Sequence, residues 1–115
     1  MKLFGWDHVA EEQMNPLFSR QVIHGEKMTL ARVHLRKGCA VTPHSHAHEQ
    51  FTMVESGRLH FVVGEEEAML QAGDMMLIPP DTPHGVEALE ESIVLDFFSP
   101  TREDWQRGAH NYLRR

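Results

Sequence analysis

The sequence predicts an all-β sandwich or barrel that ends in a short helix. Short apolar or alternating segments recur along the 115 residues, and glycine or proline separates most of them. Such spacing is typical of strands joined by tight turns. Only the C-terminal tail, residues 101–115, reads as helical, with Thr101 as its N-cap and Glu103 and Asp104 in the first turn. A chain of this length fits a single domain, which we expect to span residues 1–115.

The individual strands follow from the hydrophobic pattern and the turn residues. Residues 1–16 are mixed and polar, and we expect them to form an N-terminal arm with room for one short strand. The predicted strands then cover residues 17–24, 28–35, 50–54, 58–63, 68–71, 75–78, 84–88 and 92–98. The proline-rich segment 79–83 connects two of these strands, and its prolines exclude both a helix and strand pairing within the segment itself.

Two sets of side chains on these strands have simple interpretations. The acidic run Glu65-Glu66-Glu67 is expected at a solvated hairpin tip. Methionine fills irregular spaces in protein interiors. We therefore expect a packing role in the core for the methionines of the apolar strands, which are Met53, Met69, Met75 and Met76.

The composition disfavours two classes of partner. The formal net charge is −6, so a basic surface for nucleic acid is not expected, although a local positive pocket for an anion is compatible with it. No apolar run is long enough to span a membrane, and charge interrupts the N-terminal segment before a signal-peptide core could form. The single cysteine, Cys39, fits a reducing compartment. We expect a cytoplasmic protein.

The histidines at positions 44, 46 and 48 are the strongest indication of function. On an extended strand, side chains two residues apart point to the same side, so His44 and His46 would present two imidazoles together. Neutral imidazole is a common ligand of Zn, Cu, Fe and Ni. Two imidazoles cannot complete a site, and His84 offers a third ligand from another part of the chain. A solvated loop, or histidines with core or acid–base roles, remains the alternative.

Two motifs in register resemble those of the cupin family. Residues 38–57 contain Gly38, five residues, His44-Ser45-His46, three residues, Gln50, six residues and Gly57. Residues 73–88 contain Gly73, five residues, Pro79 and then His84. The resemblance implies a small jelly-roll barrel, or double-stranded β-helix, with a metal at its mouth.

The resemblance also implies a set of metal ligands. It assigns one divalent transition metal ion (Zn, Ni, Fe, Mn or Cu) to four side chains, which are His44, His46, Gln50 and His84. Gln50 replaces the glutamate that is usual in the family, and the adjacent Glu49 would point to the other face of its strand. A neutral amide leaves the charge of the ion uncompensated, which should attract an anionic substrate.

The segment 94–104 is similar to the corresponding part of the KdgF-type pectin-degradation cupins, as are residues 44–50 and 79–86. That resemblance implies conversion of 4,5-unsaturated monouronates, released from pectin or alginate, into linear 4-deoxy-5-keto-uronates. Asp96, Phe98 and Arg102 fall on active-site positions. Asp96 would transfer a proton, Arg102 would hold the carboxylate of a small anionic sugar acid, and Phe98 would form an apolar wall. Small cupins commonly dimerise, so we expect a homodimer.

The residues themselves support a special role for Asp96. It shares a strand face with Val94 and Phe98, where a carboxylate is costly unless it is paired or functional. A salt bridge to Arg102 or Arg32 is the structural alternative. Two other functions also remain open: a different metal-dependent cupin enzyme, such as an oxygenase or a sugar isomerase, and a ligand-binding cupin without catalysis. The sequence does not decide whether His48, His60 or Arg32 line the pocket.

Overall fold

Antiparallel strands in two sheets make up most of the computed structural model, which describes residues 1–107. The strands are β1 (Glu11–Asn15), β2 (Phe18–His24), β3 (Thr29–Leu35), β4 (Ala40–His44), β5 (Glu49–Ser56), β6 (Arg58–Val63), β7 (Glu66–Gln71), β8 (Met75–Ile78), β9 (His84–Ala88) and β10 (Ser92–Ser99). A 3₁₀ turn, Trp6–His8, precedes them, and the single helical turn α1 (Glu103–Gln106) follows. The all-β prediction with a short C-terminal helix is confirmed.

The strand order brings distant parts of the chain together. One sheet has the order β1-β2-β3-β10-β5-β8 and the other β4-β9-β6-β7. Strands late in the chain therefore lie between early ones, as in a jelly roll. Two pairs of opposed residues result: His44 in β4 faces His84 in β9, and Thr52 in β5 faces Asp96 in β10.

The core lies between the inward faces of the two sheets. In β3 the burial alternates, with Thr29, Ala31, Val33 and Leu35 buried, as the period of two in a half-buried strand requires. The opposite sheet contributes Leu59 and Phe61 from β6. Each large apolar side chain buried in this way stabilises the fold by about 1.5 to 3 kcal/mol.

The glycine that ends the first motif allows a close contact between strands. Gly57 has φ of +91°, a conformation that side chains with a Cβ rarely adopt. A Cβ at this position would also overlap with Ser92 and with the carbonyl oxygen of Glu91. The turn between β5 and β6 therefore requires glycine.

The prediction that four methionines fill the core is correct only for Met76, which packs against the buried cluster. Met53 is half-buried on the outward face of β5, between the exposed residues Phe51 and Glu55. Met69 and Met75 are 52% and 69% exposed, because they fall on the outward positions of β7 and β8. Met75 lies on the outward side of the six-stranded sheet, where other large apolar side chains are exposed. We call this surface the outer apolar face; it comprises Phe51, Met75, Leu77 and Phe97.

Three local predictions also need correction. Glu66 and Glu67 belong to β7 and not to the hairpin tip. Thr101 is not the N-cap of the helix, because its hydroxyl lies 2.9 Å from the Thr29 hydroxyl, and Arg102 takes the cap position. Among the described residues of the predicted tail, 101–107, the helix occupies Glu103–Gln106, and the prediction for residues 108–115 lies outside the described part of the chain.

Within residues 1–107, no helix has the length and apolar character needed to cross a membrane.

Candidate metal centre

Three imidazoles converge where β4 pairs with β9. The ring centroid of His84 lies 4.4 Å from that of His44 and 4.9 Å from that of His46. One nitrogen of each of the three rings lies within 4.8 Å of the other two. Such a group could hold a metal ion.

The reason predicted for this convergence is only partly correct. His44 is the last residue of β4, whereas His46 lies in the loop before β5, so strand alternation does not align the two rings. The loop is held instead by the proline-rich segment 79–83, because the backbone N–H of Asp81 donates to the carbonyl oxygen of His46 at 2.8 Å. The two motifs thus fix each other's position.

Backbone carbonyls set the orientation and tautomer of all three rings. The Nδ1 atoms of His44, His46 and His84 lie 2.8 to 3.0 Å from the carbonyl oxygens of Thr42, His48 and Thr82, respectively. A carbonyl oxygen only accepts, so each Nδ1 carries a hydrogen. The lone pair of each neutral ring is then on Nε2, which is the arrangement that metal-binding histidines use.

The Gln50 side chain adds an oxygen to this group. Its Nε2 donates to the Thr52 hydroxyl at 2.9 Å and to Asp96 Oδ1 at 3.1 Å, which directs its Oε1 toward His46 Nε2, 3.1 Å away. Two atoms with lone pairs then face each other at a distance that a shared cation explains. Two ligands about 2.1 Å from one metal ion are about 3.0 Å apart at a right angle and about 3.4 Å apart at the tetrahedral angle, and the observed 3.1 Å lies between these values. The donor set therefore fits a metal ion.

Burial keeps the three imidazoles neutral. It lowers the pKa of His44 and of His46 to about 4, with the positive charge of Arg102 contributing to both shifts, and it lowers the pKa of His84 as well. At neutral pH the three rings therefore do not have to lose a proton before they bind a metal.

Because the pKa values of the three imidazoles are lowered, we expect protons to compete only weakly with a metal ion for these rings. Three ordinary imidazoles with pKa 6.5 would lose about 10³-fold in metal affinity between pH 7.5 and pH 5.5. We expect a loss below about tenfold for this protein, measured by metal titration against a chelator at both pH values. A loss near the larger figure would contradict the lowered pKa values.

Asp96 lies beside the centre and is linked to it. Its Oδ1 accepts hydrogen bonds from the Thr52 hydroxyl at 2.8 Å and from Gln50 Nε2 at 3.1 Å. Burial raises the pKa of Asp96 to about 6, and these two hydrogen bonds and the charge of Arg102 limit the rise. Asp96 forms neither of the predicted salt bridges: within residues 1–107, Arg102 pairs with Asp104 and Arg32 pairs with Glu55, and the charge of Arg102 acts on Asp96 from a greater distance.

Arg102 is the most deeply buried charged residue of the site, with 1% of its surface exposed. Its Nε and Nη2 donate to the two carboxylate oxygens of Asp104 at 3.0 and 2.7 Å. The guanidinium also lies against two aromatic rings, 4.8 Å from the centroid of Phe98 and 4.2 Å from that of Trp105. Phe98 in turn meets the edge of the His46 ring, with 5.6 Å between centroids.

All seven residues singled out from the sequence line one cavity. They are His44, His46, Gln50, His84, Asp96, Phe98 and Arg102. The roles assigned to them stay predictions. None of the three residues left open is among those that line the cavity. Arg32 pairs with Glu55, and His60 lies 3.9 Å from Glu67. The ring of His48 lies near the site, 5.4 Å from that of His46 between centroids.

Arg20 and Trp105 also line the cavity, although the sequence analysis did not assign them to the site. Arg20 is 2% exposed, and its guanidinium lies 4.0 Å from the centroid of the Trp105 ring. The sequence does contain an indication for Arg20. This residue lies two positions from both Phe18 and Val22, and so it shares their inward strand face. Trp105 gave no comparable signal, since its position depends on where α1 packs.

An antiparallel jelly roll with histidines converging from two motifs defines the cupin class of proteins. The family described as "Cupin domain" matches residues 31–98, and the chain belongs to this family. The curated "Pectin degradation protein KdgF" of Dickeya dadantii (strain 3937) is 33% identical over 102 residues, which are 86% of this chain and 93% of that protein. The resemblance seen in the sequence is thereby confirmed.

Solved structures agree with this relationship. KdgF from Halomonas sp. superposes with a TM-score of 0.85 and 32% identity, covering 90% of this chain and 99% of its own. An RmlC-like cupin from Shewanella frigidimarina NCIMB 400 superposes with a TM-score of 0.86 and 27% identity, covering 91% of this chain and 96% of its own.

Proposed function

We propose that this protein is an enzyme of unsaturated uronate metabolism. It would convert 4,5-unsaturated monouronates from pectin or alginate into linear 4-deoxy-5-keto-uronates, with the help of one divalent transition metal ion. The relationship to KdgF, a pectin degradation protein by name, supports the pathway class. The observation that carries the chemistry is the position of Asp96, half-buried in the cavity wall and joined to the candidate metal centre through Gln50.

The proposed reaction is an isomerisation. A proton leaves the anomeric hydroxyl, the bond between C1 and the ring oxygen breaks, and C4 takes up a proton as C5 becomes a ketone. Asp96 would carry this proton, and a carboxyl with a pKa near 6 is suited to accept and return it at neutral pH. When bound by His44, His46, His84 and Gln50, the metal would supply Lewis-acid stabilisation of negative charge on a substrate oxygen.

The charges of the cavity wall suit an acidic sugar. The two buried guanidiniums of Arg20 and Arg102 both line the cavity, and we assign the substrate carboxylate to Arg102. The two-point contact of Nε and Nη2 with Asp104 holds this guanidinium in place at the cavity wall. Phe98, which packs between His46 and Arg102, would exclude water from the reacting carbons.

A direct assay tests this function. Purified, metal-loaded protein is mixed with freshly prepared unsaturated galacturonate, or with the unsaturated uronate from alginate, and the absorbance of the C4–C5 double bond is followed. We expect the absorbance to fall faster than in buffer or with chelator-treated protein, and NMR should identify the linear keto product. A rate equal to the spontaneous rate with both substrates would refute the proposal.

Two companion readouts of this assay address the other interpretations of the site. Oxygen uptake during turnover would indicate an oxygenase. Tight retention of the uronate without product would indicate a binding protein.

The homodimer and the cytoplasmic location stay predictions. The outer apolar face is the surface that we expect two copies to share, because isolated proteins rarely expose several large apolar side chains together. Sedimentation velocity of the purified protein would measure its oligomeric state.

A further inference from the structure

We infer that Thr52 is a positioning residue, which holds both Asp96 and Gln50 in their working orientations. Its part in catalysis rests on the function proposed above, whereas its effect on metal affinity does not. Thr52 is 1% exposed and lies on the inward face of β5, two residues after Gln50 and opposite Asp96 in β10. No feature of the motifs in the sequence singled it out.

The direction of each hydrogen bond at Thr52 is determined by its partners. A hydroxyl has one hydrogen to donate and can accept others. The amide nitrogen of Gln50, 2.9 Å away, can only donate, so the hydroxyl accepts from it. The single hydroxyl hydrogen then goes to Asp96 Oδ1 at 2.8 Å. Thr52 thus acts as acceptor toward one residue and donor toward the other.

This pair of hydrogen bonds fixes the Gln50 amide. With Nε2 held by Thr52 and Asp96, Oε1 is the atom that faces His46 Nε2. A reversed amide would place an oxygen beside the oxygen of Asp96 and an N–H against the candidate metal centre. The hydroxyl of Thr52 therefore acts on metal binding through Gln50.

The same hydroxyl orients the Asp96 carboxyl. Both of its hydrogen bonds, from Thr52 and from Gln50, end on Oδ1, and within residues 1–107 none is recorded on Oδ2. Two donors stabilise negative charge on Oδ1. The geometry therefore assigns the mobile proton to Oδ2.

Two substitutions separate this role from simple packing. Thr52→Val keeps the shape of the side chain and removes the hydroxyl, and Thr52→Ser keeps the hydroxyl and removes a methyl group. If Thr52 only fills space, Val should be the milder change. If the hydroxyl positions its two partners, Ser should behave like the wild type.

The first measurement is independent of any uronate. Zn²⁺ affinity is determined by competition with a chelator for the wild type and both variants, after thermal unfolding has shown that each is folded. We expect Thr52→Val to bind Zn²⁺ about 10- to 100-fold more weakly, the range typical when a partner of a metal ligand is lost, and Thr52→Ser to remain near the wild type. Equal affinities of the wild type and Thr52→Val, or equal losses in both variants, would overturn the inference.

The second measurement separates kcat from KM at saturating metal. We expect Thr52→Val to lower kcat for the unsaturated uronate about 10- to 100-fold with little change in KM, and Thr52→Ser to restore it. An increase confined to KM in Thr52→Val would overturn the assignment of Thr52 to Asp96. A wild type without turnover would refute the proposed function, and the Zn²⁺ comparison would still decide the role of Thr52.

Discussion

Replacement of Asp96 by asparagine should lower kcat for the unsaturated uronate by about 10²- to 10⁴-fold, the usual contribution of a positioned proton-transfer group. Asparagine has the same shape, and its oxygen can still accept from Thr52 and Gln50, but it cannot carry the proton. Metal content, measured by elemental analysis, should stay at the wild-type level. An unchanged rate would remove Asp96 from the mechanism.

The same variant should be more stable than the wild type at high pH. The pKa of Asp96 in the folded state is about 6, above its ordinary value of 3.8. Its carboxyl therefore stabilises the fold fully only below about pH 4, and this contribution is lost as the pH rises through about 6. We expect Asp96→Asn to gain about 1 to 3 kcal/mol in free energy of unfolding at pH 8, and little at pH 4, in denaturant titrations of the metal-free protein.

Replacement of His84 by alanine should abolish metal binding and activity together. The ring of His84 is the one closest to both other imidazoles, and its Nδ1 is held by the carbonyl oxygen of Thr82. The variant lacks one of the four proposed ligands, and the space left by the ring opens the cavity to water. Elemental analysis of the variant, purified without chelator, should show metal at background level.

A matched control is available in β6. His60 is half-buried, lies on the outward face near Glu67 and does not line the cavity, so His60→Ala should keep its metal and its rate. Wild-type metal stoichiometry in His84→Ala would show that the ligand set is wrong. Loss of metal in both variants would point to a general effect on folding.

Local patterns predicted most of the strands but not β4, and together with the family resemblance they pointed to seven residues that line the cavity. The alternation in β3 and the motif spacings around His44 and His84 depend on residues close in sequence, and the structure agrees with them. The position of His46 was predicted for an incorrect reason, because its loop is held by a hydrogen bond from Asp81, 35 positions further along the chain.

Features that depend on strand register could not be predicted. Thr52 meets Asp96 only because β10 pairs with β5 in one particular alignment, which the sequence of neither strand reveals. The exposure of Met75 has a similar origin, since the pattern of β8 alone does not tell which of its faces is inward. Arg20 could have been found from its inward position between Phe18 and Val22.

The place of β10 between β3 and β5 also bears on the order of folding. Neither of those two earlier strands completes its pairing until β10, which follows both in the chain, is inserted between them. Contacts between remote parts of a chain form slowly, so the nascent polypeptide carries His44 and His46 well before any pocket surrounds them. If the proposed site takes up an ion, we expect the finished barrel to bind it after synthesis, because only then are all four proposed ligands together.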